Sequence, residues 1–191
     1  MMPGTLKWYA KLWDTCELKT DRFSQTLLTL FRKRILDNKR RYYIVEDCSG
    51  VPWWVIACIH MREASCRFDR ILHNGEKILG TGKKTSLVPK DRGPFVMWEE
   101  AAIDALTITP MPDRWTIEET LMFFEKYNGL GYLKYHAKVL SPYLWSCTNH
   151  YVMGKYASDG KFVGGLVDQQ LGVAALMKEL NIKPEREKFE T

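Results

Sequence analysis

Residues 51–76, VPWWVIACIHMREASCRFDRILHNGE, decide the fold because they open on a long apolar run. Pro52 suits the first turn of a helix, where the N–H that proline lacks would have no partner. Trp53 to Ile59 follow without a polar residue, a pattern typical of a helix that is buried on every side. The stretch therefore predicts a buried central helix on which the other elements pack.

The predicted central helix ends in a carboxyl group, that of Glu63, one helical turn after Ile59 and His60. A buried carboxylate costs free energy unless it is paired or protonated. We expect the apolar surroundings and the negative end of the helix to raise the pKa of this group, which suits a general acid. A salt bridge from Glu63 to Arg62 or Arg67 fits the same residues.

Two further acidic residues in the stretch are candidate partners for this acid. Asp69 lies on a predicted loop and Glu76 at the edge of a predicted hairpin, where solvent would keep both ionised. Hydrolysis of a glycosidic bond requires one protonated and one charged carboxyl in unlike environments. The acid protonates the leaving oxygen, and the base orients a water on the opposite face of the sugar.

The rest of the chain predicts a mainly α fold of the α+β type, with one small β-hairpin lobe. Apolar residues recur at helical spacing in segments at about 6–18, 23–35, 95–106, 121–127 and 167–180. Residues 42–47 fit a strand or a helix, and the helical patterns on both sides favour a helix. Thr116 followed by Glu119 is typical of a capping box. Residues 76–88, which are rich in glycine near their middle, predict the hairpin.

The length of 191 residues and the hydrophobic content of 46% favour one domain over 1–191. We divide it into N-terminal helices (1–50), a core that carries the candidate acid (51–181) and a solvated tail (182–191). No apolar run reaches transmembrane length, and no signal peptide is visible. We therefore expect synthesis in the cytoplasm and no stable insertion into a membrane.

The cysteines, histidines and basic clusters exclude several classes of function. Five cysteines, an odd number, occur without a CxxC pair, which indicates reduced thiols. The four histidines lack HExxH or a similar ligand spacing, so we expect no metal and no cofactor. The basic clusters 32–34 and 39–41 are typical of a solvated helix face rather than of a nucleic-acid contact.

Several phrases of the sequence resemble the lysozyme superfamily, in its goose-type and lytic-transglycosylase branch, and within it phage-type endolysins. The phrases are VPWWVIACIHMREAS, LHNGE, GPFVMWEEAAIDAL, YNGLGY and SPYLWSCTNHYVMGKYASDG, between Val51 and Gly172. The resemblance implies a lysozyme-like fold and a muramidase that cleaves the β-1,4 bond between N-acetylmuramic acid and N-acetylglucosamine. Glu63 would be its general acid and Glu76 its second carboxylate, with Asp69 as the rival for that role.

A further group of residues combines aromatic faces with hydrogen-bonding groups, as sugar binding needs. The candidate substrate-binding residues are His60, His73, Asn74, Tyr127, Asn128, Tyr132, Trp145, Thr148, Asn149 and Tyr151. Core packing is the alternative for each aromatic residue. For His60, the alternatives are tuning of Glu63 and a buried, fully hydrogen-bonded imidazole.

The predicted partner is the glycan strand of bacterial peptidoglycan, attacked by a monomer that reaches the cell wall after release or injection. The net charge of +5 would draw such an enzyme to anionic wall polymers. A lytic transglycosylase is an alternative, but the glycine-leucine-methionine-glutamine phrase usual in that branch is absent. A chitinase-like hydrolase and a non-catalytic module that binds cell wall or nucleic acid are the others.

Overall fold

The computed structural model describes residues 2–158 and 160–188, and over these residues the chain is mostly helical. The helices are α1 (Leu6–Asp14), α2 (Arg22–Asp37), α3 (Lys39–Ser49), α4 (Trp53–Ala64), α5 (Trp98–Leu106), α6 (Ile117–Asn128), α7 (Gly131–Tyr135), α8 (Pro142–Trp145) and α9 (Val173–Glu179). Strands β1 (Lys155–Ser158) and β2 (Lys161–Val163) pair antiparallel. The mainly helical fold with one small hairpin is confirmed.

The chain divides into two compact units, and each is described by itself. The central unit is Leu30–Pro110, and the terminal unit comprises the described residues of Met1–Thr29 and Met111–Thr191. The predicted boundary near residue 50 differs from this division, because α3 packs on both α4 and α5 and so belongs with the predicted core. The single domain over 1–191 stays a prediction.

Helix α4 is the buried central helix that its apolar run predicts. Every residue from Val55 to Met61 is buried. The helix begins where the carbonyl of Pro52 accepts hydrogen bonds from the N–H groups of Val55 and Ile56, at 2.9 and 3.2 Å. Its C-terminal cap is Ser65, which adopts a left-handed conformation with φ of 52°. Arg34 Nη1 donates to the Ser65 carbonyl at 3.0 Å, which fixes the turn that follows the helix.

The hairpin is not where the sequence predicted it. Residues 76–88 contain no strand, and the two-stranded sheet lies at β1 and β2. The reason is visible at Ser86 and Leu87, whose backbone N–H groups donate to the Glu76 carboxylate. Those donors are therefore not used by a facing strand, and 76–88 stays an irregular loop.

The terminal unit is built from α1, α6, α8 and α9, which pack in the pairs α1 with α6, α6 with α8 and α8 with α9. Thr116 caps α6 by accepting the N–H of Glu119, as the capping box predicted. Helix α9 begins at Val173, later than predicted, because Asp168 is held outside the helix. The Asp168 carboxylate accepts from Lys155 Nζ at 2.7 Å, and the Asp168 N–H donates to the Tyr151 hydroxyl at 3.1 Å.

The predicted solvated tail is instead attached to α6 over its described part. The Glu185 carbonyl accepts from Ile117 N–H at 2.9 Å, and Arg186 Nε donates to the buried Glu118 carboxylate at 2.7 Å. Residues 189–191 of that tail, and Asp159 beside the hairpin, lie outside the described residues. Within the described chain, the helices are all too short or too polar to cross a membrane.

Candidate active site

The end of α4 and the turn 71–76 lie in direct contact, and Gly75 makes the contact possible. A Cβ atom at Gly75 would lie 2.7 Å from the backbone oxygen of Glu63, closer than such atoms approach. Gly75 also has φ of +77°, which other residues rarely adopt. Two hydrogen bonds close the turn, from Ile71 N–H to the Glu76 carbonyl at 3.0 Å and from Gly75 N–H to the Ile71 carbonyl at 3.1 Å. Glu76 therefore directly follows Gly75, the residue that contacts the Glu63 backbone.

Glu63 is half-buried, at the last turn of a helix whose interior residues are fully buried. Because Glu63 lies in this last turn, the backbone of the helix end determines where its carboxyl group can lie. The N–H groups of Ser65 and Cys66 donate back to the carbonyls of Met61 and His60, both at 3.1 Å. These bonds close the helix within two residues of Glu63, so the carboxyl is carried on a fixed backbone rather than on a loop.

Glu76 is half-buried and is held by donors from two segments. Oε1 accepts from the Ser86 hydroxyl at 2.5 Å and the Ser86 N–H at 3.0 Å. Oε2 accepts from Leu87 N–H at 3.2 Å and from Asn74 Nδ2 at 2.8 Å. Burial opposes ionisation, but these hydrogen bonds outweigh it and lower the pKa of Glu76 below its ordinary value. The side chain is therefore an ionised carboxylate in a fixed position.

Asp69, the rival second carboxylate, is exposed and paired with two cations. Its Oδ2 lies 2.9 Å from Lys77 Nζ and 3.1 Å from Arg67 Nη2. The hydrogen bonds from Lys77 and then Arg67 lower the pKa of Asp69 to about 2. Glu76, which directly follows the Gly75 contact, is the better candidate for the partner of Glu63.

His60, a predicted substrate-binding residue, lies in the core of the central unit. The side chain is completely buried, and both ring nitrogens are used. Nε2 donates to the Arg67 carbonyl at 3.2 Å, and Nδ1 accepts from the Tyr42 hydroxyl at 3.0 Å. Burial lowers the pKa of His60 to about 4. His60 is the buried, fully hydrogen-bonded imidazole named as its alternative.

His73 and Asn74 lie beside Glu76, as predicted, but they have different roles. Asn74 is half-buried, and its side chain receives the Glu76 N–H at 3.1 Å in addition to donating to the carboxylate. The His73 side chain is wholly buried, with Nε2 2.8 Å from Asp104 Oδ2. The His73 side chain therefore faces the interior of the central unit, on Asp104, rather than the surface beside Glu76.

Seven predicted substrate-binding residues belong to the terminal unit, and four of them are in its core. Trp145 and Thr148 are 0% exposed, Tyr151 is 2% exposed and Tyr132 is 5% exposed. The three aromatic residues of this group therefore adopt the core packing named as their alternative, and Thr148 is buried beside them.

The other three predicted residues of the terminal unit reach the surface. Tyr127 is half-buried against Phe123, and Asn128 and Asn149 are exposed. Asn149 already binds the segment after α1, because it accepts from Glu17 N–H at 3.0 Å and donates to the Thr15 carbonyl at 2.9 Å. Substrate binding by these three residues stays a prediction.

The sequence reasoning missed the residues that support Glu76. Ser86 supplies two of its donors, and Asp104 forms a half-exposed ion pair with Arg92. No spacing signal marks these residues, since they meet through loops rather than along one helix or strand. Among residues 2–158 and 160–188, no group of three or more His, Cys, Asp or Glu side chains is arranged to hold a metal ion.

Comparisons with protein-family models, with curated proteins and with solved structures found no match to this chain. The resemblance to the lysozyme superfamily therefore rests on the sequence phrases, and the case for a function rests on the geometry of the central unit.

Proposed function

We propose that the protein is a lysozyme-like glycoside hydrolase, a muramidase that cleaves the β-1,4 bond between N-acetylmuramic acid and N-acetylglucosamine in peptidoglycan. One observation supports this most directly: the turn that carries Glu76 packs through Gly75 on the helix end that carries Glu63. Most glycosidases use two carboxyl groups that flank the scissile bond, and here two carboxyl-bearing residues lie on adjoining backbone segments.

The two carboxyls have different environments, and their roles follow from them. Glu63 lies at the end of a buried helix and is the proton donor to the glycosidic oxygen. The bond between that oxygen and the anomeric carbon breaks as the oxygen gains the proton, and positive charge develops on the sugar ring. Glu76, kept ionised by Ser86, Leu87 and Asn74, is the fixed negative charge that stabilises this ring and orients the attacking water.

Hydrolysis is completed when a water oxygen bonds to the anomeric carbon and the water gives up a proton to a carboxylate. Inversion at the anomeric carbon would identify Glu76 as that acceptor, and retention would identify Glu63, which is ionised after its own donation. Proton NMR of the first product formed from soluble peptidoglycan fragments distinguishes the two anomers.

The function is tested by digesting purified peptidoglycan and identifying the products by mass spectrometry. We expect glycan fragments with reducing N-acetylmuramic acid ends. Anhydro ends would indicate a lytic transglycosylase, and release of fragments from chitin at an equal rate would indicate a chitinase-like enzyme. No cleavage of either polymer, together with salt-sensitive binding to cell walls or nucleic acid, would contradict the proposal and favour a binding module.

The cellular setting is part of the same proposal. Such a muramidase would be made in the cytoplasm and would reach the peptidoglycan after release or injection. The excess of 28 Lys and Arg over 23 Asp and Glu would favour its approach to anionic wall polymers.

A further inference from the structure

Two separate segments hold the Glu76 carboxylate, and neither is a helix or a strand. The first is the turn that includes Asn74, which donates to Oε2. The second begins at Ser86 and continues into Leu87, and it supplies three donors. Loops of this kind are mobile unless other contacts fix them. The position of Glu76 therefore depends on what anchors each segment.

The first segment is anchored through His73, the residue before Asn74. Its imidazole is buried and stacks on Phe95, with ring centroids 5.4 Å apart and planes at 19°. Nε2 donates to Asp104 Oδ2 at 2.8 Å. Within the described chain, Nδ1 has no hydrogen-bond partner. Burial lowers the pKa of His73 despite the opposing effect of Asp104, so the ring is neutral near pH 7 and Nδ1 carries no proton.

The second segment is anchored through Thr85, the residue before Ser86. Thr85 is 4% exposed and exchanges two hydrogen bonds with Arg92: its N–H donates to the Arg92 carbonyl at 2.9 Å, and its hydroxyl accepts the Arg92 N–H at 3.0 Å. The Thr85 hydroxyl donates to the Pro89 carbonyl at 2.5 Å. Arg92 thus fixes the backbone that presents Ser86 and Leu87.

The two anchors converge on one side chain, that of Asp104 on α5. Arg92 binds it in a fork, with Nε 2.9 Å from Oδ2 and Nη2 on Oδ1. His73 shares Oδ2. A bidentate, charge-assisted pair of this kind is directional as well as strong. Asp104 therefore connects both segments to a helix of the central unit.

We propose that Asp104 is a positioning residue that sets the geometry of the Glu76 carboxylate through His73 on one side and Arg92 on the other. The proposal rests on the proposed function for its catalytic consequence, but its structural part does not. Without Asp104, the side-chain link that joins the two donor segments through His73 and Arg92 would be lost. Glu76 would then lose hydrogen bonds that favour its ionised form.

The direct test is a titration of the Glu76 carboxyl by carbon-13 NMR in the parent protein and in Asp104→Asn. We expect the pKa of Glu76 to rise by about one unit in Asp104→Asn, because fewer donors then stabilise the carboxylate. The matched control is Asp69→Asn, which removes an exposed carboxylate with two cationic partners from the same unit. An unchanged Glu76 titration in folded Asp104→Asn would overturn the proposal.

The catalytic consequence is measured as rate against pH on soluble peptidoglycan fragments. We expect Asp104→Asn to lower kcat about tenfold with little change in KM and to move the acidic limb upward together with the pKa of Glu76. A residue with only a structural role would lower the melting temperature without moving that limb. If the parent protein cleaves no substrate, the proposed function fails, while the NMR titration still decides the positioning role.

Two milder variants keep the proposal testable if Asp104→Asn does not fold. Arg92→Lys keeps the charge but loses the fork, and Thr85→Val loses the hydroxyl that joins Arg92 and Pro89. Each should raise the pKa of Glu76 by less than Asp104→Asn does. A Glu76 titration that neither variant changes would refute the role of this network.

Discussion

Two acidic residues, one in each unit, show how differently a carboxyl can be accommodated. Glu76 in the central unit is half-buried and accepts hydrogen bonds from Ser86, Leu87 and Asn74, which lower its pKa. Glu125 in the terminal unit is 1% exposed, and its Oε1 has no hydrogen-bond partner within the described residues. Burial raises the pKa of Glu125 to about 8.

The comparison teaches that a perturbed pKa does not by itself identify a catalytic acid. A raised pKa is the usual mark of a general acid, and by that criterion alone Glu125 would be chosen. Yet Glu125 lies in the interior of α6 and faces Tyr9, whose hydroxyl pKa is also raised by burial and then by Glu125. Glu63 has a second carboxylate on an adjoining segment, and geometry must precede pKa in the choice.

The largest expected effect separates Glu63 from Glu125. We expect Glu63→Gln to lower the rate of peptidoglycan cleavage roughly 10²–10⁴-fold, since an amide cannot donate the proton that the leaving oxygen needs. Glu125→Gln should change the rate by no more than about twofold, because that carboxyl is held inside the terminal unit. Turbidity of a cell-wall suspension reports both rates, and circular dichroism checks the fold. Near-parental activity of Glu63→Gln would refute the mechanism.

The second comparison is between Glu76 and Asp69 within the central unit. Glu76→Gln should lower the rate on the order of 10²-fold, as expected for removal of one preorganised electrostatic group. Asp69→Asn loses only exposed, solvent-screened ion pairs and should stay near the parental rate. If Asp69→Asn shows the large loss of cleavage rate instead, the role of second carboxylate belongs to Asp69.

The central helix could be predicted from the sequence, whereas the support of Glu76 could not. An unbroken apolar run from Trp53 to Ile59 has few structural solutions, so its burial follows directly from composition. Ser86 and Asp104 reach the site through loop geometry that depends on tertiary contacts. The predicted hairpin failed for the same reason, because a side-chain carboxylate took the N–H groups that a strand would need.

The aromatic residues show a second limit of sequence reasoning. Trp145 and Tyr151 were expected in a sugar-binding groove, and both are buried in the terminal unit. A large aromatic side chain contributes to a core and to a binding groove through the same apolar face. Only the packing decides between the two, and here α6 and α9 both pack on α8, the helix that carries Trp145.

The contrast between the two units should also appear in stability against pH. The pKa of Glu125 is raised from 4.5 to about 8. Its contribution to the free energy of unfolding is therefore fully present below pH 4.5 and is lost as pH rises through 8. The loss amounts to about 3 kcal/mol by pH 7 and about 5 kcal/mol above pH 8. Urea unfolding of the parent and of Glu125→Gln across this range measures it. A parent and variant with parallel profiles would show that Glu125 keeps an ordinary pKa.

The smallest expected effect has the opposite sign and comes from His60. Its pKa is lowered from 6.5 to about 4, so its stabilising contribution is complete above pH 6.5 and is lost as pH falls through 4. The full loss is about 3 kcal/mol, since the unfolded chain binds the proton more readily than the buried ring does. His60→Gln should remove this dependence of stability on pH, whereas the control His136→Gln, which changes a half-buried ring in the terminal unit, should retain it.

Because the Arg67 carbonyl that His60 holds lies in the turn after Glu63, acid should also slow cleavage before it unfolds the protein. Cleavage that keeps its full rate down to pH 4 would show that the turn does not depend on a neutral His60.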